Sequence, residues 1–291
     1  MTAPHDLVID DRPVPLAVRD HGGDGAPVLL LHGLGGTLLH WDAVAPLLTG
    51  SHRVVAMDLR GHGLSGEGPW EWEAVLDDVR AVVDHLGLDA PLVVGHSLGG
   101  MVAVRWALRH PDAPGIVNLD GLRSAETAPR LYAGIEEEEL RELLAELKTV
   151  FDAQAAAMAQ PLPEGHAAMF PPRALLTTDE GVFARPSAAL AGQVRDDPYF
   201  LDSVPSVAEI RCPALFVLAT RNLPGLPGRV GELMPAQRAG IRRDLLPLVA
   251  DRPHLRVLEL DASHAMVAEQ PGEVARAVLD FHLDACARPP A

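Results

Sequence analysis

The sequence predicts an α/β fold: a mostly parallel sheet covered on both faces by helices, with a helical cap inserted after the middle of the sheet. Three observations predict it. Short, continuous apolar runs alternate with stretches of helical spacing, as in parallel sheets buried on both sides. A Gly-flanked serine, Gly95-His96-Ser97-Leu98-Gly99-Gly100, sits at one strand-to-helix junction. The alternation lapses between about residues 123 and 207 and then resumes.

The elements follow in order. Leu7–Ile9 and Val14–Val18 read as short strands around a turn at Asp10–Pro13. Pro27–Leu31 is an unbroken apolar run that ends in His32-Gly33, and Val54–Met57 is another that ends at Asp58. From Trp72 to Leu86 the apolar residues Val75, Leu76, Val79, Val82, Val83 and Leu86 recur at helical intervals until Gly87 stops them. Leu92–Val94 is the strand before the serine, and Met101–His110 the helix after it, closed by Pro111. Ile116–Leu119, Ala214–Leu218 and Leu255–Leu260 are further strands, and Val274–Leu283 is a closing helix. Such βα alternation requires right-handed crossovers and a sheet covered on both sides.

The interrupted stretch differs in kind. It opens a long helix with Glu136-Glu137-Glu138-Glu139, a solvated acidic face suited to the positive end of a helix dipole. Pro161, Pro163, Pro171 and Pro172 then divide it into shorter helical pieces. Four of the six Phe (Phe151, Phe170, Phe183, Phe200) and both Tyr (Tyr132, Tyr199) lie there. A small cap needs a core of its own, so packing accounts for most of them, with one or two left to face a substrate. The expected division is a core domain of residues 1–122 and 208–291 with a cap of residues 123–207.

The serine motif carries the chemistry. Gly95 and Gly99 remove Cβ atoms where the backbone doubles back, and Gly100 lets the helix approach the sheet. The turn holds the Ser97 Oγ beyond a strand end, and the Leu98 N–H opens a helix facing an anion. A serine hydroxyl also needs a base. Among 13 histidines, His264 alone follows a late strand and precedes a helix start, Glu269-Gln270-Pro271. A second oxyanion donor is expected after an early strand, where His32-Gly33-Leu34-Gly35-Gly36 offers the Leu34 N–H.

Taken together, these segments and Asp58-Leu59-Arg60-Gly61-His62-Gly63-Leu64-Ser65 resemble the α/β-hydrolase fold superfamily in order and spacing, over nearly the whole chain. The resemblance implies an eight-stranded, mostly parallel sheet with a helical lid over the active site. It assigns the Asp58–Ser65 motif a structural role. It also exposes a departure. In many capped members the third triad residue, an acid, follows the strand after the cap, where this chain has Ala219-Thr220-Arg221-Asn222. An amide there cannot stabilise an imidazolium as a carboxylate does; the corresponding change in a serine protease lowers the rate about 10⁴-fold. Some members place the acid one strand earlier, which points to Asp120 in Asn118-Leu119-Asp120-Gly121. Asp120 could instead cap the following helix or bind a backbone amide. Asp261 is only three residues from His264 and needs an unusual loop to reach the ring.

A serine at the nucleophile position excludes haloalkane dehalogenase and epoxide hydrolase chemistry, which this fold performs with a carboxylate there. The resemblance implies cleavage of an ester, lactone or thioester through an acyl-enzyme, and the apolar, aromatic-rich cap suggests that the substrate is a hydrophobic small molecule. Neither a metal nor an organic cofactor is needed. Hydrolysis of C–C bonds and cofactor-free perhydrolysis use the same triad, and some members only bind ligands. If Asp120 reaches His264 Nδ1 the enzyme reading gains; if it points away a binding role does.

Composition limits the partners. The net charge of −16 argues against nucleic acid and anionic membranes. No run of about 18 apolar residues is present, and the N-terminal Met1–Asp6 has neither a basic start nor an apolar core, so neither a membrane span nor a secretory leader is expected. Cys212 and Cys286 lie far apart and read as free thiols of a reducing compartment, the cytoplasm. The Pro/Gly-rich Asn222–Gly231 loop and the arginines Arg238, Arg242 and Arg243 read as surface, with lining of the site as the alternative. Oligomeric state leaves no mark in the sequence.

Overall fold

In the computed structural model, which describes residues 3–225 and 228–286, two sheets account for ten strands. They are β1 (His5–Ile9), β2 (Leu16–Gly22), β3 (Ala26–Leu31), β4 (His52–Met57), β5 (Leu92–His96), β6 (Ile116–Leu119), β7 (Leu175–Thr178), β8 (Gly181–Ala184), β9 (Ala214–Ala219) and β10 (Leu255–Leu260). The helices are α1 (Ala45–Leu48), α2 (Trp72–His85), α3 (Leu98–Arg109), α4 (Glu137–Met158), α5 (Ala188–Arg195), α6 (Pro198–Leu201), α7 (Val230–Val249), α8 (Met266–Glu269) and α9 (Pro271–Cys286). The Cys286 side chain lies outside the described residues. Among the described residues, no helix is long and apolar enough to cross a membrane.

The large sheet runs β1-β2-β4-β3-β5-β6-β9-β10. Only the pairings of β2, with β1 and with β4, are antiparallel. The fold is therefore the mostly parallel sheet the sequence predicts, with the eight strands the resemblance implies. Its apolar runs are unbroken because both faces are buried. On β3, Leu29 and Leu31 join α2 and α3 in one core, while Val28 and Leu30 join α1 and α9 in the other. The period of two sends alternate side chains to opposite faces.

Two elements depart from the sequence reading. The insert between β6 and β9 is not wholly helical: β7 and β8 form an antiparallel hairpin whose turn ends at Gly181, with φ +137°. Four-residue strands flanked by prolines leave too short an alternation to read. The second departure is α7. Of the Asn222–Gly231 stretch, residues 226 and 227 lie outside the described residues, and Val230 and Gly231 already open a 20-residue helix that carries Arg238, Arg242 and Arg243 and keeps Pro235 and Pro247 inside it. Proline normally ends a helix because it lacks an N–H for the carbonyl four residues back; tertiary contacts override that here. Val230, Leu233 and Ala236 pack with Tyr132, Leu140, Leu143 and Leu147 in a third small core, and Ile241 and Leu245 join the main one. α7 thus belongs to both layers.

Glu136, at the cap of α4, and the three glutamates that open the helix are exposed, as expected. Of the insert's aromatics, Tyr132 is buried in the third core, and Tyr199 and Phe200 pack on the main one. Phe170 is exposed.

Candidate active site

The carboxyl ends of β5, β6 and β10 converge on one spot. β5 passes directly into α3 through Ser97, whose φ of +53° and ψ of −118° no ordinary strand or helix residue adopts. The glycines around it explain how the turn closes. A Cβ on Gly95 would lie 1.9 Å from the Gly99 carbonyl oxygen, and one on Gly99 would lie 2.3 Å from that of Leu31. A Cβ on Gly100 would meet the Asn118 side chain at 2.9 Å, so α3 runs close against β6. Helix α3 starts at Leu98, three residues before the predicted start. No described residue accepts from the Leu98 or Leu34 N–H. Leu34 lies in the loop after β3, where a Cβ on Gly33 would sit 3.0 Å from the Ser97 Cβ. The N–H after Ser97 and the N–H after Gly33 are therefore both without an acceptor among the described residues.

Asp120 stands at the end of β6 with φ +52°, a second strained residue beside the first. Asn118 builds the turn: its Nδ2 donates to the Gly121 carbonyl and its Oδ1 accepts from the Gly121 N–H, both at 2.9 Å. The Ser97 N–H donates to the Leu119 carbonyl at 2.9 Å, and a Cβ on Gly121 would lie 2.1 Å from the Ser97 carbonyl oxygen. The serine turn and the Asp120 turn are in effect one packed unit.

The Asp120 carboxylate has two partners. Its Oδ2 meets His264 Nδ1 at 2.8 Å, and its Oδ1 accepts from the Ala219 N–H at 3.0 Å. The His264 side chain is 44 % exposed and that of Asp120 only 18 %, so the imidazole is open to a ligand while the carboxylate is sheltered. Burial opposes ionisation of Asp120, but the bond to His264, the charge of that ring, the Ala219 amide and Arg238 together bring its pKa below the usual value. Burial likewise pulls His264 down, and the Asp120 bond and charge more than reverse it, so its pKa stands above the ordinary histidine value. Among the described residues, nothing hydrogen-bonds the Ser97 hydroxyl; such contacts often tighten only around a bound substrate.

Several residues escaped the sequence reading. His96, inside the serine motif, donates from Nε2 to the His264 carbonyl at 2.7 Å and lies tilted against that ring, at 43° with centroids 4.8 Å apart. His40 stacks behind His96, also at 4.8 Å. Burial holds His40 down at about 4 and His96 well below the usual histidine value, so both are neutral. On the far side, Glu269 accepts from the Ser263 N–H at 3.0 Å and from its hydroxyl at 2.6 Å, bracing the loop that carries His264. Asp261 is on the surface with Arg221.

Asn222 does something else. Pro235 has no N–H to offer the Gly231 carbonyl, and Asn222 Nδ2 donates to that carbonyl at 2.9 Å. The amide supplies the bond the proline withholds, which a carboxylate could not do. Asp58 is structural. It is fully buried, accepting from the Leu38 N–H at 2.7 Å, the Leu64 N–H at 2.9 Å and Arg173 Nη1 at 2.7 Å. Through Arg173 it ties the insert to the sheet. Among the described residues, no group of three or more His, Cys, Asp or Glu side chains is placed to hold a metal ion.

Residues 26–180, more than half the chain, match the family of the alpha/beta hydrolase fold. A fluoroacetate dehalogenase of Burkholderia sp is 39 % identical over 99 residues, 32 % of this chain and 33 % of that one. An sn-1-specific diacylglycerol lipase of Mus musculus is 33 % identical over 131 residues, 43 % of this chain and 42 % of that one. The chain thus spans less than half the length of these curated relatives. Among solved structures, a membrane phospholipase A described as a novel bacterial virulence factor superposes with a TM-score of 0.68 at 20 % identity, over 98 % of this chain and 87 % of that one. The enol-lactonase from Burkholderia xenovorans LB400 gives 0.62 at 22 % identity, over 94 % and 99 %. At such identities the likeness is one of fold. The sheet order, the strained serine turn and the matched residues lead to one statement of kinship: this chain belongs to the α/β hydrolase fold family.

Proposed function

We propose that the protein is a serine hydrolase that cleaves an ester, lactone or thioester of a hydrophobic small molecule. Ser97 is the nucleophile, His264 the general base and Asp120 the acid that orients it, with the Leu34 and Leu98 N–H groups as oxyanion donors. The observation that carries this reading is the 2.8 Å bond from Asp120 to His264 Nδ1, beside a serine held at φ +53° on a strand-to-helix turn. Relatives named for other bonds, a dehalogenase among them, leave the bond type open. The hydroxyl at position 97 carries the choice, since it attacks carbonyl carbon.

In the reaction, Ser97 Oγ adds to the carbonyl carbon as His264 Nε2 takes its proton, and the two N–H groups receive the oxyanion. Asp120 keeps the proton on Nδ1 and stabilises the imidazolium without accepting it. Collapse expels the alcohol or thiol, protonated by His264, and leaves an acyl-serine. Water, deprotonated by the same ring, then adds to the acyl group and releases the acid. The insert, with its Phe and Tyr residues, acts as the cap over this site.

Intact mass after treatment with a fluorophosphonate tests the assignment without knowledge of the substrate. Wild type is expected to gain one phosphonyl group on Ser97, and Ser97→Ala none. Labelling of Ser97→Ala at the wild-type rate would overturn the nucleophile assignment.

A further inference from the structure

Helix α7 brings Arg238 behind the Asp120 turn. The two residues line one cavity of about 90 Å³, together with Ala219, Thr220, Arg242 and Glu259. Arg242 is neutralised there by an ion pair with Glu259. Arg238 is half-buried and has no carboxylate within ion-pair reach among the described residues. It makes one long hydrogen bond, from Nη1 to the Arg221 carbonyl at 3.4 Å. A guanidinium taken partly out of water is unfavourable unless a negative charge faces it. With Arg242 and Glu259 paired, the charges left to compensate each other across the cavity are Arg238 and Asp120.

We propose that Arg238 is a positioning residue for the Asp120–His264 pair: its charge holds the carboxylate ionised from behind while the ring bonds it from the front. This rests on the reading of Asp120 and His264 as acid and base. The other groups facing the pair are His96 and His40, both neutral, and the Arg242–Glu259 ion pair, so Arg238 is the one net cation at its back among the described residues. Burial lowers the pKa of Arg238 and Asp120 raises it, the reciprocal of the effect of Arg238 on Asp120. The architecture gives a reason for the arrangement. An acid at the end of β6 shares its cavity with Arg238 of α7 and is largely sheltered from water, and Asn222 fixes the start of that helix by its bond to Gly231.

The sign of the effect is definite. A nearby cation disfavours protonation of the pair, so its removal raises the pH at which His264 takes up a proton. The expected shift in Arg238→Gln is upward by about half a pH unit, as for a solvent-screened charge several ångströms away. Arg238→Lys, which keeps the charge, should return His264 close to its wild-type value. The His264 ring is followed by NMR titration of histidine-labelled protein, with its signal identified by its loss in His264→Asn. The pH dependence of fluorophosphonate labelling is measured in parallel, and its acid limb should move with the titration. A folded Arg238→Gln whose His264 titrates as in wild type overturns the proposal. So does an equal shift in Arg238→Lys, which would make packing rather than charge the cause. If Arg238→Gln does not fold, Arg238→Met replaces it in the same comparison with Arg238→Lys. Absence of labelling in wild type would count against the hydrolase reading alone, since the NMR titration judges Arg238 without any reaction.

Discussion

The turns that follow β6 and β9 lie side by side in the sheet and put their polar residue to opposite uses. After β6, Asp120 is strained, sheltered and bonded to His264. After β9, Asn222 is exposed and bonded to the start of its own downstream helix. Each use demands the residue it has. A carboxylate accepts and carries charge, as an imidazolium neighbour requires; an amide donates, as an orphaned carbonyl requires. An asparagine at the position where the family resemblance places an acid thus has a structural partner of its own, the Gly231 carbonyl.

The largest test of this contrast is Asp120→Asn. It should lower kcat by about three to four orders of magnitude while the fold holds, since the amide offers His264 the wrong partner. It should also move the acid limb of the labelling profile to lower pH. The carboxylate that raises the His264 pKa is gone, and burial, which lowers it, remains. A rate within tenfold of wild type would mean that the acid lies elsewhere.

A smaller effect is expected at the other turn. Asn222→Asp should not rescue Asp120→Asn, and should itself lower stability by about 1 kcal/mol, because a carboxylate then faces the Gly231 carbonyl at a solvent-exposed bond. Chemical denaturation measures the loss, and recovery of activity in the double variant would show that the β9 loop still reaches His264. The finest test couples Asn222 to Pro235. Pro235→Ala restores an N–H for the Gly231 carbonyl, so Asn222→Ala should then cost less than in wild type, by about 1 kcal/mol in a double-mutant cycle. Strict additivity would break the link between the two residues.

Much of the frame was legible in the sequence because its signals are local. All eight strands of the large sheet were readable as short strand-like segments; Asp120 directly follows one, and Ser97 and His264 lie within four residues of the end of another. What stayed hidden depends on distant contacts. The Asn118 cradle around Gly121 and the His96 bond to the His264 carbonyl join residues whose closeness only the folded sheet creates. Asn222 and Pro235 are thirteen positions apart by number, yet each looks like a breaker until the other is seen. The same prolines masked α7, and with it the role of Arg238, which from its neighbours Arg242 and Arg243 reads as one more surface charge.

The backbone at Ser97 also bears on which sequences lie within evolutionary reach. At φ +53° a branched Cβ is crowded by its own peptide, and only the missing side chain of Gly33, whose Cβ would lie 3.0 Å from the Ser97 Cβ, leaves that atom its room. Threonine, the other aliphatic alcohol, is therefore disfavoured although it carries the same hydroxyl. Cysteine is unbranched and nearly the same shape, so the turn admits it. Among hydroxyl and thiol nucleophiles, the geometry leaves a serine lineage a thiol as its ready neighbour and disfavours a secondary alcohol.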